Sequence, residues 1–178
     1  SRCKQNKYPH THDPSLSQKS LLLVGGGHWG KHLVRNFHSL GVLHTLCDTN
    51  ELLLDSYKST YPDINTTTHF TQALQHPDIT KVVIAAPAAM HYTLATQALN
   101  AGKDVFVEKP LCLNHSEGET LILQARSQGS ILMVGHLLHY HPCIERLKEL
   151  VHSGELGQLQ YLSSNRLNLG CIRTEENA

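Results

Sequence analysis

From Leu21 onward the chain alternates two textures: short runs that are apolar at nearly every position, and longer segments whose apolar residues recur every three or four places. The runs are SLLLVG (residues 20–25), VLHTLCD (42–48), TKVVIAAP (80–87), KDVFVE (103–108) and SILMVG (130–135). A strand with one face in water alternates apolar and polar residues, whereas uniformly apolar strands are covered on both faces. The intervening segments carry helix signals. Trp29, Leu33, Val34, Phe37 and Leu40 fall on one helical face, with Gly41 as the stop. Asp48 or Asn50 is placed to cap a helix through Leu52, Leu53 and Tyr57 that ends before Pro62. TQALQ (71–75) reads as a short helix, and another runs from about His91 to Asn100 with Gly102 behind it. Asn114 and Glu117 have capping-box spacing and open a helix that stops near Gly129. Strand and helix in strict alternation predict an α/β fold, a Rossmann-type doubly wound parallel sheet over residues 21–135.

The rhythm changes after Gly135. HPCIERLKELVHSG (141–154) is amphipathic, with Ile144, Leu147, Leu150 and Val151 on one side. QLQYLSSNRLNL (158–169) then alternates like a half-exposed strand of an antiparallel sheet, with nothing after it to pair with. Residues 136–178 therefore read as the incomplete beginning of a second, α+β substrate domain. Residues 1–20 are polar, contain two prolines and show no period, as a flexible leader does.

Composition removes several function classes. Acidic and basic residues balance at 15 each, so no electrostatic footprint for nucleic acid or an anionic membrane exists. No apolar run approaches a membrane span. The five cysteines are scattered without a C-x-x-C pair, which suits reduced thiols and a cytoplasmic location. Fourteen histidines are unusual, and GHLLHYHP groups His136, His139 and His141. No cysteine or carboxylate completes a tetrahedral set beside them and no H-E-x-x-H occurs, so no metal site is expected. A histidine-dependent metal protein is the weakest of the functional readings.

Candidate chemistry lies where strands end. VGGGHWG (24–30) contains G-x-G-x-x-G at Gly25, Gly27 and Gly30, between the first strand and an amphipathic helix. In that setting Gly25 makes the tight turn, Gly27 admits a pyrophosphate to the backbone, and Gly30 lets helix and strand pack closely. His28 and Trp29 fill the intervening positions and count with the cofactor-binding set. The helix start then meets phosphate with unpaired N–H groups and its positive dipole end. Asp48 ends the second strand near the spacing of a ribose-binding acid. Thr49 and Asn50 follow it rather than an arginine, so NAD is favoured over NADP. Without that context the glycines are only a turn and Asp48 only a cap. Ala86, Pro87 and Ala88 are small enough for a nicotinamide to lie against their backbone, and His91 is either a helix-start polar residue or part of the site. Glu108, Lys109 and Pro110 follow the next strand.

At these residues the chain resembles the Gfo/Idh/MocA oxidoreductases. The resemblance runs from about Leu21 to the C-terminus and rests on VGGGHWG, Asp48, AAPAAMH, AGKDVFVEKPL and ILMVGHLLHYHP. It implies a two-domain dehydrogenase in which Lys109 hydrogen-bonds the reacting hydroxyl of a sugar, sugar nucleotide or polyol. Glu108 would help fix the cofactor end of the site, and Pro110 would set the turn. The later segment is similar to members associated with sugar nucleotides, although many relatives carry Arg in place of His139 and Lys in place of Cys171. On that likeness His136, Tyr140, His141 and Arg166 are candidate substrate contacts. The family's Asp/His-bearing segment, which takes part in proton transfer, would lie beyond Ala178. Family members associate through the second domain's sheet, so a full-length chain is expected to form a homo-oligomer. The alternative is a truncated, non-catalytic dinucleotide-binding module.

Overall fold

A computed structural model describes residues 19–165 and 167 of the chain. Six strands, β1 (Leu21–Val24), β2 (Leu43–Cys47), β3 (Asn65–Thr67), β4 (Lys81–Ile84), β5 (Asp104–Val107) and β6 (Leu132–Val134), form one parallel sheet in the order β3-β2-β1-β4-β5-β6. Successive residues of β1 point to opposite faces and enter different cores. Leu21 and Leu23 join Val34 of α1 (Gly30–Ser39) and Leu54 of α2 (Glu51–Thr60). Leu22 and Val24 join Leu74 of α3 (Phe70–Leu74), Leu94 and Leu99 of α4 (Ala88–Asn100), and Leu121 of α5 (His115–Gln128). Two helices thus cover one face and three the other. That is why these strands are apolar throughout and why the doubly wound reading holds.

Several local expectations change. Asn65–Thr67 forms an edge strand that the polar sequence did not announce, paired only with β2. Asn50 is the cap of α2, its side chain accepting from the Leu53 N–H at 3.1 Å, which leaves Asp48 to another task. Trp29 and Leu40 flank α1 as its cap residues and stay 40% and 66% exposed, so the buried face is narrower than the period suggested. Helix α4 begins at Ala88, not at His91. Asn114 caps α5 without a side-chain hydrogen bond, so no capping box closes; the helix ends on left-handed Gly129, φ 67°.

Beyond β6 a short 3-10 helix (Leu137–Tyr140) leads into α6 (Pro142–His152), which starts on Pro142 as N1 proline favours. The strand expected from 158 is not formed among the described residues: 158–165 are exposed and outside any sheet. An extended segment needs a partner for its backbone N–H and C=O groups, and none is paired with it here. No described helix is long and apolar enough to cross a membrane.

Candidate functional site

The parallel ladder continues one residue past the strands. Asp48 N–H donates to Thr67 O at 3.2 Å, Gly25 N–H to Cys47 O at 2.9 Å and Ala85 N–H to Val24 O at 2.8 Å. Glu108 N–H donates to Ile84 O at 2.9 Å and Gly135 N–H to Val107 O at 2.8 Å. Asp48, Gly25, Ala85, Glu108 and Gly135 therefore stand in a row along the carboxyl edge of the sheet. The strand order reverses between β1 and β4, which opens the crevice beside Gly25 and Ala85 where such sheets hold ligands.

Each glycine of the loop meets a different constraint. Gly25 has φ 93°, and a Cβ there would lie 2.7 Å from the Ala85 carbonyl. A Cβ on Gly30 would collide with the Gly25 carbonyl oxygen, so this glycine lets the helix start close on the loop itself rather than on the strand. Gly27 is exposed, and a Cβ there would meet nothing within 4 Å. His28 and Trp29 are exposed beside it, with the Trp29 ring tilted against His32 at 5.6 Å. Helix α1 starts without a side-chain cap; Lys31 N–H donates to Gly27 O and His32 N–H to Trp29 O, each at 3.0 Å, so an anion would meet the Gly30 N–H and the positive end of the helix.

The loop is held by Asp48 and by Tyr57, whose part sequence reading passed over. Gly26 N–H donates to Asp48 Oδ2 at 2.7 Å, and Gly26 O accepts from the Tyr57 hydroxyl at 2.7 Å. Burial raises the Tyr57 phenol above its ordinary value, with Tyr61 and Asp48 adding to the effect, so it remains an O–H donor. Tyr57 was legible only as an apolar-face residue of α2. Asp48 also accepts from the Asn50 N–H through Oδ1 at 2.9 Å. Each of its oxygens keeps a lone pair for a further donor such as a hydroxyl.

At the turn after β5 the charged pair separates. Glu108 is 6% exposed, and its Oε1 is buried without a hydrogen-bond partner among the described residues; Lys109 beside it is exposed. The Lys109–Pro110 peptide is cis. His91, read from the sequence as either a helix-start polar residue or part of the site, is buried. It is 2% exposed, with Nδ1 2.6 Å from Pro110 O and Nε2 2.8 Å from Ala86 O. The ring lies between the Ala86–Pro87 turn and the Glu108–Pro110 turn. Ala86 is half-buried and Pro87 exposed at the start of α4.

Of the substrate candidates, His136 and Tyr140 are exposed beyond β6. The His136 ring meets His139 edge-on at 5.9 Å, and His139 Nδ1 lies 3.1 Å from Lys148 Nζ. His141 turns back on its own helix as the α6 cap, accepting from the Cys143 N–H at 3.2 Å. Arg166 lies outside the described residues. The single group of three metal-type donors among the described residues is elsewhere, at His44, His76 and Asp78. The distance between these residues along the chain hid it from pattern reading.

A profile of the Gfo/Idh/MocA oxidoreductases, described as an oxidoreductase family with an NAD-binding Rossmann fold, matches residues 19–136. The 1-carboxy-3-chloro-3,4-dihydroxycyclohexa-1,5-diene dehydrogenase of Comamonas testosteroni is 33% identical over 117 residues, covering 66% of this chain and 30% of the relative. The UDP-N-acetylglucosamine 3-dehydrogenase of Acidithiobacillus ferrooxidans is 26% identical over 150 residues, covering 82% and 44%. Among solved structures, GenD2 from gentamicin A biosynthesis, in complex with NAD, superposes with a TM-score of 0.73 at 29% identity over 78% of this chain and 40% of its own. The myo-inositol 2-dehydrogenase of Lactobacillus plantarum gives 0.72 at 26% identity over 78% and 42%. The chain spans less than half the length of each of these relatives.

Proposed function

The chain belongs to the Gfo/Idh/MocA oxidoreductase family, and from that premise we propose that it is the dinucleotide-binding part of an NAD(P)-dependent dehydrogenase. The reaction we assign is oxidation of a secondary hydroxyl of a sugar, sugar nucleotide or polyol. The observation that carries this reading is the split pair on the carboxyl edge. Glu108 is buried, with an oxygen that has no partner among the described residues, and stands in the row that includes the glycine loop; Lys109 follows it and is exposed. A buried carboxylate without a partner is costly and calls for a donor.

The residues present fit a dinucleotide on structural grounds. The space outside Gly27 and the uncapped start of α1 suit a pyrophosphate. The remaining lone pairs of Asp48 suit ribose hydroxyls and would repel a 2′-phosphate, which favours NAD. Glu108 Oε1 is the acceptor available at the nicotinamide end. A bound nicotinamide supplies the hydride acceptor for alcohol oxidation. The work left to this chain is at the hydroxyl oxygen, which must lose its proton as hydride leaves carbon. Lys109 orients that hydroxyl and donates to the oxygen as negative charge develops on it, and the proton passes to the Asp/His-bearing segment that the family resemblance implies. The first partner of the turn holds the cofactor end while the second faces the substrate. Residues 136 onward we assign to the opening of a substrate domain that follows the nucleotide domain of residues 21–135.

The substrate class rests on the family and on relatives named for a UDP-N-acetylhexosamine and an inositol. Calorimetry with NADH and NADPH tests the first half of the proposal: saturable NADH binding, tighter than NADPH, is expected, and binding of neither would overturn it. Turnover is tested on the longest native polypeptide that carries this sequence, across UDP-sugars, free sugars and inositols. Lys109→Met should keep NADH binding and lose turnover by at least about a hundredfold. Unchanged turnover would remove Lys109 from the chemistry, and binding without turnover of any substrate would favour the non-catalytic module.

A further inference from the structure

The sheet's other edge carries a second group of ligand-type side chains. His44 stands near the start of β2, and His76 and Asp78 stand on the turn between α3 and β4. This is the amino edge, opposite the glycine loop. One nitrogen from each imidazole and one Asp78 carboxylate oxygen lie within 4.8 Å of one another. The His44 and His76 rings face each other at 4.6 Å between centroids, tilted by 51°. His76 Nδ1 is 3.9 Å from Asp78 Oδ2.

The His44 ring is also held in the way that metal-ligating imidazoles are held. Its Nδ1 is 2.7 Å from the hydroxyl of Thr45, a residue only 5% exposed. With Nδ1–H given to that oxygen, the lone pair is on Nε2, and the ring orientation is set from inside the protein. His76 and Asp78 are about half exposed, and closing the remaining distance takes His76 Nδ1 out of the 3.3 Å bond it accepts from the Asp78 N–H. Four-coordinate zinc, with bonds of about 2.0–2.2 Å, needs donors roughly 3.4 Å apart. Rotation about side-chain bonds covers that difference without moving the backbone.

We propose that His44, His76 and Asp78 form a site for a divalent transition-metal ion, zinc by its donor set, remote from the dinucleotide edge. Two imidazoles and one carboxylate suit zinc and its neighbours and do not suit calcium or magnesium, which take oxygen sets. Water completes the coordination. The ion joins β2 to the turn that precedes β4, two segments that the sheet does not pair directly. Its effect is therefore to clamp the amino edge. Thr45 acts as a positioning residue for His44.

The test is zinc titration of untagged protein stripped with a chelator, with cobalt absorption as a spectroscopic report. One equivalent should bind in the micromolar range or tighter and raise Tm. His76→Ala and Asp78→Asn, both at exposed positions, should each weaken zinc at least about tenfold. Thr45→Val should weaken it while Thr45→Ser retains it, a difference that loss of packing alone would not produce. His139→Ala, outside the site, should bind as the parent does. The proposal is overturned if no saturable binding occurs. It is equally overturned if His76→Ala and Asp78→Asn bind as the parent does, because the metal then sits on others of the fourteen histidines.

Discussion

The Glu108 carboxylate rests against the backbone of Gly135: a methyl group built at residue 135 would lie 2.9 Å from Oε2 and 3.0 Å from Oε1. The carboxylate is thus placed by the absence of a side chain on the neighbouring strand end. Gly135→Ala must displace it, and because only the end of a side chain has to move it should cost no more than about 1 kcal/mol of stability while weakening NADH binding. Glu108→Gln keeps the shape and puts an amide, which cannot ionise, where the buried carboxyl group stands. Its unliganded Tm should rise, by about 2–4 °C per kcal/mol recovered, and its Tm gain on adding NADH should shrink. A lower unliganded Tm with full NADH stabilisation would contradict the role given to Glu108.

The loop glycines should divide into two classes. Gly30→Ala drives a methyl group into a backbone carbonyl and should destabilise the fold by about 3 kcal/mol or more, read by urea unfolding. Gly27→Val enters open space and should leave stability within about 0.5 kcal/mol of the parent. It should nevertheless abolish NADH binding, because the side chain fills the phosphate approach.

His91 gives a third prediction. Its ring spans two buried-side carbonyls from separate turns, Pro110 O and Ala86 O. His91→Ala leaves the carbonyl that takes the ring N–H without its donor and opens a cavity, at a cost of about 2–5 kcal/mol. Because the residue is buried between the turns, NADH affinity should fall less in proportion than stability does. A variant that keeps its stability and loses only affinity would return His91 to the cofactor contacts.

The Cys47 thiol is pushed up to about 11 from an ordinary 9.0, by burial and secondarily by Asp48. The fold therefore favours the neutral thiol. Its contribution to stability is fully present below pH 9 and is lost as pH rises through about 11. At pH 8 iodoacetamide should label exposed Cys143 and partly exposed Cys112 and spare Cys47, as peptide mass mapping would read. In urea Cys47 should label with the others.

Much of the nucleotide edge was legible because its signals are local. Gly25, Gly27 and Gly30 announce the loop by spacing, and Asp48 by its place after a strand. Five of six strands announce themselves as apolar runs. The sixth, β3, did not, because its residues Asn65, Thr66 and Thr67 are polar and lie exposed or half-buried at the sheet edge. The segment from 158 alternates as a strand that some sheet would accept, and none among the described residues does so, which agrees with its lack of a pairing partner in the sequence.

By itself the sequence determined the alternation of strand and helix, the burial of the strands on both faces, and the loop where a dinucleotide fits. These follow from periods and turn residues that act over a few positions. Only the tertiary structure decided that Glu108 is buried while Lys109 is exposed, that His91 faces inward, that Tyr57 and Asp48 brace Gly26, and that His44 meets His76 and Asp78. Each of these depends on which segments the sheet order brings side by side. Hydrogen bonding and burial are set by that proximity in space, which spacing along the chain does not encode.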